Sequence, residues 1–302
     1  MLPRTVCALF FGLTSVAAQT IQVDVNVVNV LCTVRDPHGA LITTLKQDDF
    51  EVRENGGLQQ IRYFTRDTDL PLTIALLVDV SGSVRRFVQA EKGAAIQFLR
   101  EVLRPNDQAL LTGFSSTIVL WQDFTSSLPL LESALGGMHA VPFRGLPKDG
   151  LAMPTTLLYD AMGSTALSKL KSVSGRKTMI IISDGMDLGS RNTLDAAVQA
   201  AQITNTIVYG ICYSTGRESG CGYLKSLAQP TGGRMFELGP KSSLSVVFAA
   251  IQDELRSQYS LGYVSTNPAR DGSFRRLQVK VHAGGLRAFS RKGYYARSVT
   301  EP

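Results

Sequence analysis

Two hydrophobic segments of the sequence end in the same way, each with an aspartate followed by small residues. The first leads into Asp79, Ser81 and Ser83, and the second leads into Asp184. Two carboxylates that lie close together repel each other unless a cation lies between them. The spacing of Ser81 and Ser83 lets both hydroxyls point into one cleft. Because these ligands are all oxygen, and neither histidine nor cysteine is nearby in the sequence, they suit a hard ion such as Mg²⁺ or Mn²⁺ better than zinc.

A sheet must bring the two segments together. The continuous apolar runs at residues 72–79 and 178–183 are typical of parallel strands buried on both faces. Further strands are predicted at 108–114, 117–121, 206–213 and 234–237, and helices at 87–103, 128–135, 157–170, 194–202, 222–229 and 242–256. The tight turn at Ser115 and Ser116 joins two of these strands, which should therefore pair antiparallel.

Alternating strands and helices predict an α/β fold over residues 70–256. We expect a doubly wound, Rossmann-like, mostly parallel sheet with one antiparallel edge strand. Ligands of such sheets bind at the carboxyl ends of strands near the topological switch point. Asp79 and Asp184 lie at such ends, so they should share one crevice if their strands are neighbours.

The flanks of this region have a different pattern. Short runs of alternating apolar and polar residues, separated by tight-turn residues, occur over residues 21–66 and again over 257–297. The first flank is too short to close a sandwich alone. We therefore predict one discontinuous β-sandwich domain, made from both flanks, with the α/β domain inserted between them.

The sequence that begins at Asp79 resembles that of a known family. Asp79, Ser81 and Ser83 match the Asp-x-Ser-x-Ser motif of von Willebrand factor type A domains, where it forms the metal-ion-dependent adhesion site. Residues 154–161 resemble the family's threonine loop, and residues 176–185 resemble its aspartate segment. The resemblance covers about residues 70–256. The flanking residues 49–52 and 291–295 are similar to those of a secreted bacterial subgroup.

The resemblance implies a ligand set and a function. Ser81, Ser83 and Thr156 would contact the metal through hydroxyls, while Asp79 and Asp184 would act directly or through water. Mg²⁺ is the expected ion, with Mn²⁺ and Ca²⁺ as alternatives. An ion held mainly by neutral hydroxyls can accept a carboxylate from a protein partner. The resemblance therefore implies a metal-dependent, adhesion-type binding module and not an enzyme.

One segment departs from the subgroup. The loop from Gly136 to Pro154 is longer than expected, and Pro154 and Thr155 replace the usual glycine pair. Thr155 therefore remains an alternative to Thr156 as the ligand. We expect an irregular binding loop beside the metal, although an insertion without a role has the same sequence pattern.

The sequence lacks the residues that several other functions require. None of the three histidines, His38, His139 and His282, lies where it could activate a serine, and Gly-x-Ser-x-Gly, Gly-x-Gly-x-x-Gly and Walker motifs are absent from the sequence. The net charge of +6 is scattered, which argues against nucleic-acid binding. The alternatives left open are a structural or interaction domain with an unoccupied metal site and, less favoured, a metal-assisted hydrolase.

The N-terminus predicts export. Residues 1–18 have one early charge, an apolar stretch and small residues before a cleavage point, which is typical of a secretory signal peptide. No later stretch is long and apolar enough for a transmembrane helix. We expect a periplasmic, cell-surface or extracellular protein. In such a compartment Cys212 and Cys221 could form a disulfide, with a buried free Cys212 as the alternative.

Overall fold

The structure is a computed structural model that describes residues 27–66, 70–81, 85–139, 155–213, 220–239 and 242–296. The predicted signal peptide, residues 1–18, lies outside this range. The described residues form three sheets and six α-helices. The central sheet contains β5 (Leu72–Asp79), β6 (Gln108–Phe114), β7 (Ile118–Thr125), β8 (Arg176–Ser183), β9 (Thr206–Tyr213) and β10 (Met235–Leu238).

The central sheet has the strand order β10-β9-β8-β5-β6-β7. Four of its pairings are parallel, and β7 at the edge pairs antiparallel to β6. This confirms the predicted α/β sheet with one antiparallel edge strand. The topological switch lies at β5, because the chain moves from β5 to β6 on one side and later to β8 on the other.

Helices cover both faces of the central sheet. They are α1 (Arg85–Val102), α2 (Leu128–Gly137), α3 (Leu158–Ser164), α4 (Leu194–Ile203), α5 (Cys221–Ala228) and α6 (Leu244–Arg256). Helices α1, α2 and α6 share one core with Ile74 and Leu76 of β5, while α3, α4 and α5 share the other with Ala75 and Leu77. Alternate residues of β5 thus enter opposite layers, which explains its continuous apolar sequence.

Most predicted elements differ from the structure by at most two residues at their ends, and three differences are more substantial. Helix α2 continues through Gly137, so the predicted loop from Gly136 begins later, and its residues 140–154 lie outside the described range. Strand β7 extends to Thr125 instead of ending at Trp121, because its later residues still pair with β6. The predicted helix 157–170 is α3 followed by a π-helical segment, Thr165–Leu170.

The flanks form two four-stranded sheets. Their strands are β1 (Val27–Arg35), β2 (Phe50–Glu54), β3 (Gly57–Gln59), β4 (Ile61–Thr65), β11 (Tyr259–Val264), β12 (Phe274–Val281), β13 (Arg287–Ser290) and β14 (Gly293–Tyr295). The sheet orders are β13-β1-β11-β4 and β14-β12-β2-β3. Each sheet therefore pairs strands from both flanks, and one apolar core contains residues from both sheets. The short strand β3 was not predicted. The division into two domains stays a prediction.

A buried carboxylate joins the flanking sheets to the central part. Glu254 of α6 is 3% exposed, and its Oε1 accepts hydrogen bonds from Arg35 of β1, at 2.6 Å, and from Arg234 just before β10. Leu31 of β1 also packs against the central apolar core. One carboxylate thus bridges a guanidinium group from each part of the chain.

Replacing Glu254 with glutamine should lower the free energy of unfolding by about 2 kcal/mol, because two guanidinium groups lose their counter-charge. The figure is below that for fully buried pairs, since water screens the exposed fraction of each arginine. Urea unfolding would measure it. The control is Asp253→Asn, an exposed neighbour on the same helix. Equal stability of the two variants would contradict the role given to Glu254.

A second buried carboxylate lies inside the sandwich. Glu54 accepts hydrogen bonds from the hydroxyls of Tyr263 (2.7 Å), Tyr294 (2.9 Å) and Ser265 (2.7 Å), and from Arg275 at 3.3 Å. Burial alone would raise the pKa of Glu54, but these hydrogen bonds and the charge of Arg275 together hold it below its usual value. The ionised form is therefore the one that the fold stabilises.

The lowered pKa of Glu54 predicts how its contribution to stability changes with pH. The contribution of Glu54 to stability should be fully present above the pKa of an unfolded glutamate, about 4.3, and should disappear as the pH falls through the lower folded pKa. Glu54→Gln should thus destabilise the protein at pH 7 and much less at pH 3. Urea unfolding at both pH values tests this, with the exposed Glu237→Gln as control. A stability loss of the same size at both pH values would count against it.

Candidate metal centre

Asp79 and Asp184 lie close together at the edge of the central sheet that is formed by the carboxyl ends of its parallel strands. Strands β5 and β8 are hydrogen-bonded neighbours in parallel register, with Val78 opposite Ile182. Asp79 therefore ends β5 beside Ser183, and Asp184 follows directly. Burial is the main cause of the raised pKa of Asp79, and the charge of the nearby Asp184 adds to it. Ser83 falls in residues 82–84, which lie outside the described residues.

The Asp79 carboxylate is buried and already hydrogen-bonded. It has no exposed surface; its Oδ1 accepts from the backbone N–H of Ser81 at 2.9 Å and its Oδ2 accepts from the hydroxyl of Ser183 at 2.9 Å. Among the described residues, no lysine, arginine or histidine forms an ion pair with it. Burial raises the pKa of Asp79 to about 6, against the opposing effect of the bonds from Ser81 and Ser183. A positive charge at this place would offset the cost of burial.

Thr156 lies between two loops that leave the same edge of the sheet. Its backbone N–H donates to the carbonyl of Leu188 at 3.0 Å, and its own carbonyl accepts from Leu188 N–H at 2.9 Å. The next residue, Leu157, donates its N–H to the carbonyl of Ser115 at 2.9 Å. The chain around Thr156 is thus hydrogen-bonded to the residue that follows β6 and to the loop that follows β8. Thr156 is 93% buried, since its exposed fraction is 7%.

Three residues of this region were not predicted from the sequence. Ser183 links Asp79 to the next loop, since its Oγ also accepts from Gly185 N–H at 3.0 Å. The Oγ of Ser115 is buried and has no hydrogen-bond partner among the described residues. Tyr213, at the end of β9, is buried, and burial together with Asp79 and Asp184 raises the pKa of its hydroxyl. Ser183 could have been identified only from the register between its strand and the strand of Asp79, which the sequence does not reveal.

A disulfide lies directly beside the Asp184 loop. Cys212 of β9 is bonded to Cys221 at the start of α5, while Cys32 is free and buried. Gly220 N–H donates to the carbonyl of Asp184 at 2.9 Å. A Cβ on Gly185, whose φ is +83°, would lie 2.2 Å from the oxygen of Gly220, so the two backbones approach too closely for a side chain.

The donor set fits a hard divalent cation. The described residues contain no group of three or more histidine, cysteine, aspartate or glutamate side chains able to hold a metal. This edge instead offers two carboxylates and several hydroxyls, including the partnerless Oγ of Ser115. Oxygen donors of this kind suit Mg²⁺, Mn²⁺ or Ca²⁺.

Comparison with solved structures identifies the fold. A von Willebrand factor type A protein from Catenulispora acidiphila superposes with a TM-score of 0.50 at 14% identity, covering 84% of this chain and 74% of its own. The chain has a von Willebrand factor type A fold. No protein-family model matches the sequence, and no curated protein matches it.

A second solved structure with this fold contains a metal. Proximal thread matrix protein 1 from the mussel byssus, in a structure whose adhesion-site motif is occupied by zinc, has a TM-score of 0.51 at 14% identity. The match covers 66% of this chain and 48% of that one, so this chain spans about half the length of the mussel protein.

In the described part of this chain, no helix is long and apolar enough to cross a membrane.

Removing the disulfide should destabilise the type A domain. Replacing Cys212 and Cys221 with alanine should lower the free energy of unfolding by about 2–3 kcal/mol, because the unfolded chain regains the entropy of an open loop. Denaturant unfolding measures the change, and the parent unfolded and refolded with its cysteines reduced should match the variant. A variant as stable as the oxidised parent would contradict this expectation.

Proposed function

We propose that this chain is an exported, metal-dependent protein-binding module whose metal lies at the sheet edge formed by Asp79 and Asp184. The observation that supports this most strongly is the Asp79 carboxylate, which is fully buried, surrounded by hydroxyl groups and lacks a cationic side chain among its described neighbours. Burying an uncompensated charge costs free energy, which a bound cation would offset.

Five residues of the chain would hold the ion. We assign the hydroxyls of Ser81, Ser83 and Thr156 as direct ligands, and Asp79 and Asp184 as carboxylates acting directly or through water. The hydrogen bonds that already occupy both oxygens of Asp79 favour the indirect role for that residue. We propose Mg²⁺ as the native ion, with Mn²⁺ and Ca²⁺ as alternatives.

The chemistry supplied by the bound ion is acceptance of a carboxylate from a protein partner. Direct ligands that are neutral hydroxyls leave the ion able to attract an anionic ligand at an open coordination position. Catalytic turnover would also require a positioned base. Among the described residues, His139 bonds through Nδ1 to the carbonyl of Gly137 at the end of α2, and the backbone N–H of His38 donates to Asp36. His282 lies after β12 in the sandwich, where its backbone N–H donates to the carbonyl of Asp49. The residues assigned to the ion therefore support binding of a partner better than hydrolysis.

The proposed export is supported by two features of different origin. The signal-like segment 1–18 is a sequence prediction that no described residue tests. The disulfide between Cys212 and Cys221 is the kind of bond that persists in oxidising compartments and is rare in the cytosol. We therefore propose a periplasmic, cell-surface or extracellular location.

Calorimetric titration of Mg²⁺ and Mn²⁺ into the chelator-stripped protein tests the proposed site. We expect one binding event in the parent and none in the double variant Ser81→Ala, Ser83→Ala, because two of the three hydroxyl ligands are lost. Thr156→Ala should weaken binding, whereas Thr155→Ala should leave it unchanged. The control is Ser116→Ala, which removes an exposed hydroxyl from the neighbouring turn.

A folded parent that binds neither ion would favour the alternative function, a structural or interaction domain with an unoccupied metal site. Equal binding by the parent and the double variant would place any metal elsewhere. If the site is confirmed, capture of acidic peptides in Mg²⁺, compared with chelator, tests whether the ion accepts a carboxylate.

A further inference from the structure

The loop after Asp184 and the helix after Thr156 exchange hydrogen bonds in both directions. We call the three side chains that make this connection the cross-brace: Asp160, Asp187 and Ser190. None of them belongs to the proposed ligand set. Asp160 follows Thr156 by four residues, and Asp187 follows Asp184 by three.

From the loop side, the cross-brace caps helix α3. Asp187 Oδ1 accepts from the backbone N–H of Tyr159 at 3.0 Å and from the hydroxyl of Ser190 at 2.6 Å. The Oγ of Ser190 in turn accepts from the backbone N–H of Asp160 at 3.0 Å. The first amides of a helix have no partner within it, and the N-cap residue of α3, Leu157, supplies no side-chain cap. The Asp184 loop therefore provides the cap.

A residue of helix α3, Asp160, also accepts hydrogen bonds from the loop. The Asp160 carboxylate accepts from the backbone N–H of Arg191 at 3.0 Å, and from the backbone N–H and side-chain amide of Asn192 at 2.9 and 2.7 Å. Burial works to raise the pKa of Asp160, but these backbone and side-chain bonds lower it overall. The ionised carboxylate thus holds the far end of the loop against α3.

The backbone pairing of Thr156 with Leu188 adds a third connection, next to the first set of bonds. The segment from 184 to 192 is consequently attached to the segment from 156 to 160 at three successive places. A shift of one segment relative to the other would break several hydrogen bonds at once. The distance between Thr156 and Asp184 is therefore set by the cross-brace as well as by the sheet.

We propose that Asp160, Asp187 and Ser190 are positioning residues that hold Thr156 and Asp184 in place for metal binding. This inference rests on the proposed function. Side chains that orient metal ligands without contacting the metal commonly change metal affinity by about 10- to 100-fold when they are replaced. We expect Asp160→Ala and Ser190→Ala to raise the dissociation constant for Mn²⁺ by about 10-fold or more.

The experiment compares Mn²⁺ affinity in the full chain of the parent, Ser190→Ala, Asp160→Ala and Asp160→Asn. Asparagine keeps one acceptor oxygen for Asn192, so Asp160→Asn should recover part of the affinity that alanine loses. The surface control is Asp195→Asn, an exposed carboxylate in the first turn of α4. Glu254→Gln serves as a second control, because it destabilises the protein at a place remote from the metal.

Weaker Mn²⁺ binding in the alanine variants, partial recovery with asparagine and parental affinity in both controls would support the positioning role. If the alanine variants bind Mn²⁺ as the parent does, or if Glu254→Gln loses as much affinity as they do, the inference is overturned. A folded parent that does not bind Mn²⁺ is a separate result, which refutes the proposed function itself.

Discussion

The candidate site is built around one carboxylate that is buried at the end of the central strand β5. Asp79 terminates β5, which has apolar layers on both faces, so the approach of water to its side chain is blocked. A charge in such a place is costly unless it is paired. The amide of Ser81 and the hydroxyl of Ser183 offset part of that cost, while burial raises the pKa of Asp79 to about 6. A cation held by the surrounding hydroxyls would offset the cost of burial, which connects the fold to the proposed function.

The elements around this edge hold its loops in place. Parallel pairing of β5 with β6 and β8 brings three loops to the same edge, where Ser115, Thr156 and Leu188 are connected through their backbones. On the β9 side, the Cys212–Cys221 disulfide keeps Gly220 against the Asp184 loop. At the opposite end of the domain, Glu254 attaches α6 to the sandwich through Arg35. These connections hold the described loops of the candidate metal site in fixed positions relative to one another, which is what preorganised binding requires.

Much of this arrangement could be predicted from the sequence, because the signals are local. The apolar run 72–79, the short turn at Ser115 and Ser116, and the two strand-ending aspartates each predict their own structure, and together they predict the sheet. The hydroxyl of Ser183 could not be assigned, because its bond to Asp79 depends on the register of two strands about 100 residues apart. The disulfide stayed an open alternative, since a sequence separation of nine does not determine whether two cysteines approach. The end of α2 was misplaced because two glycines predict a loop, whereas here the helix continues through Gly137.

The most direct test is anomalous X-ray diffraction from crystals of the mature chain grown with Mn²⁺. The account predicts one strong anomalous peak at the edge between β5 and β8, within about 2.5 Å of the hydroxyl oxygens of Ser81, Ser83 and Thr156. The carboxylates of Asp79 and Asp184 should lie beside it. A fully ordered edge with no peak, or a peak coordinated by other residues, would contradict the central claim that this buried carboxylate belongs to a metal-binding site.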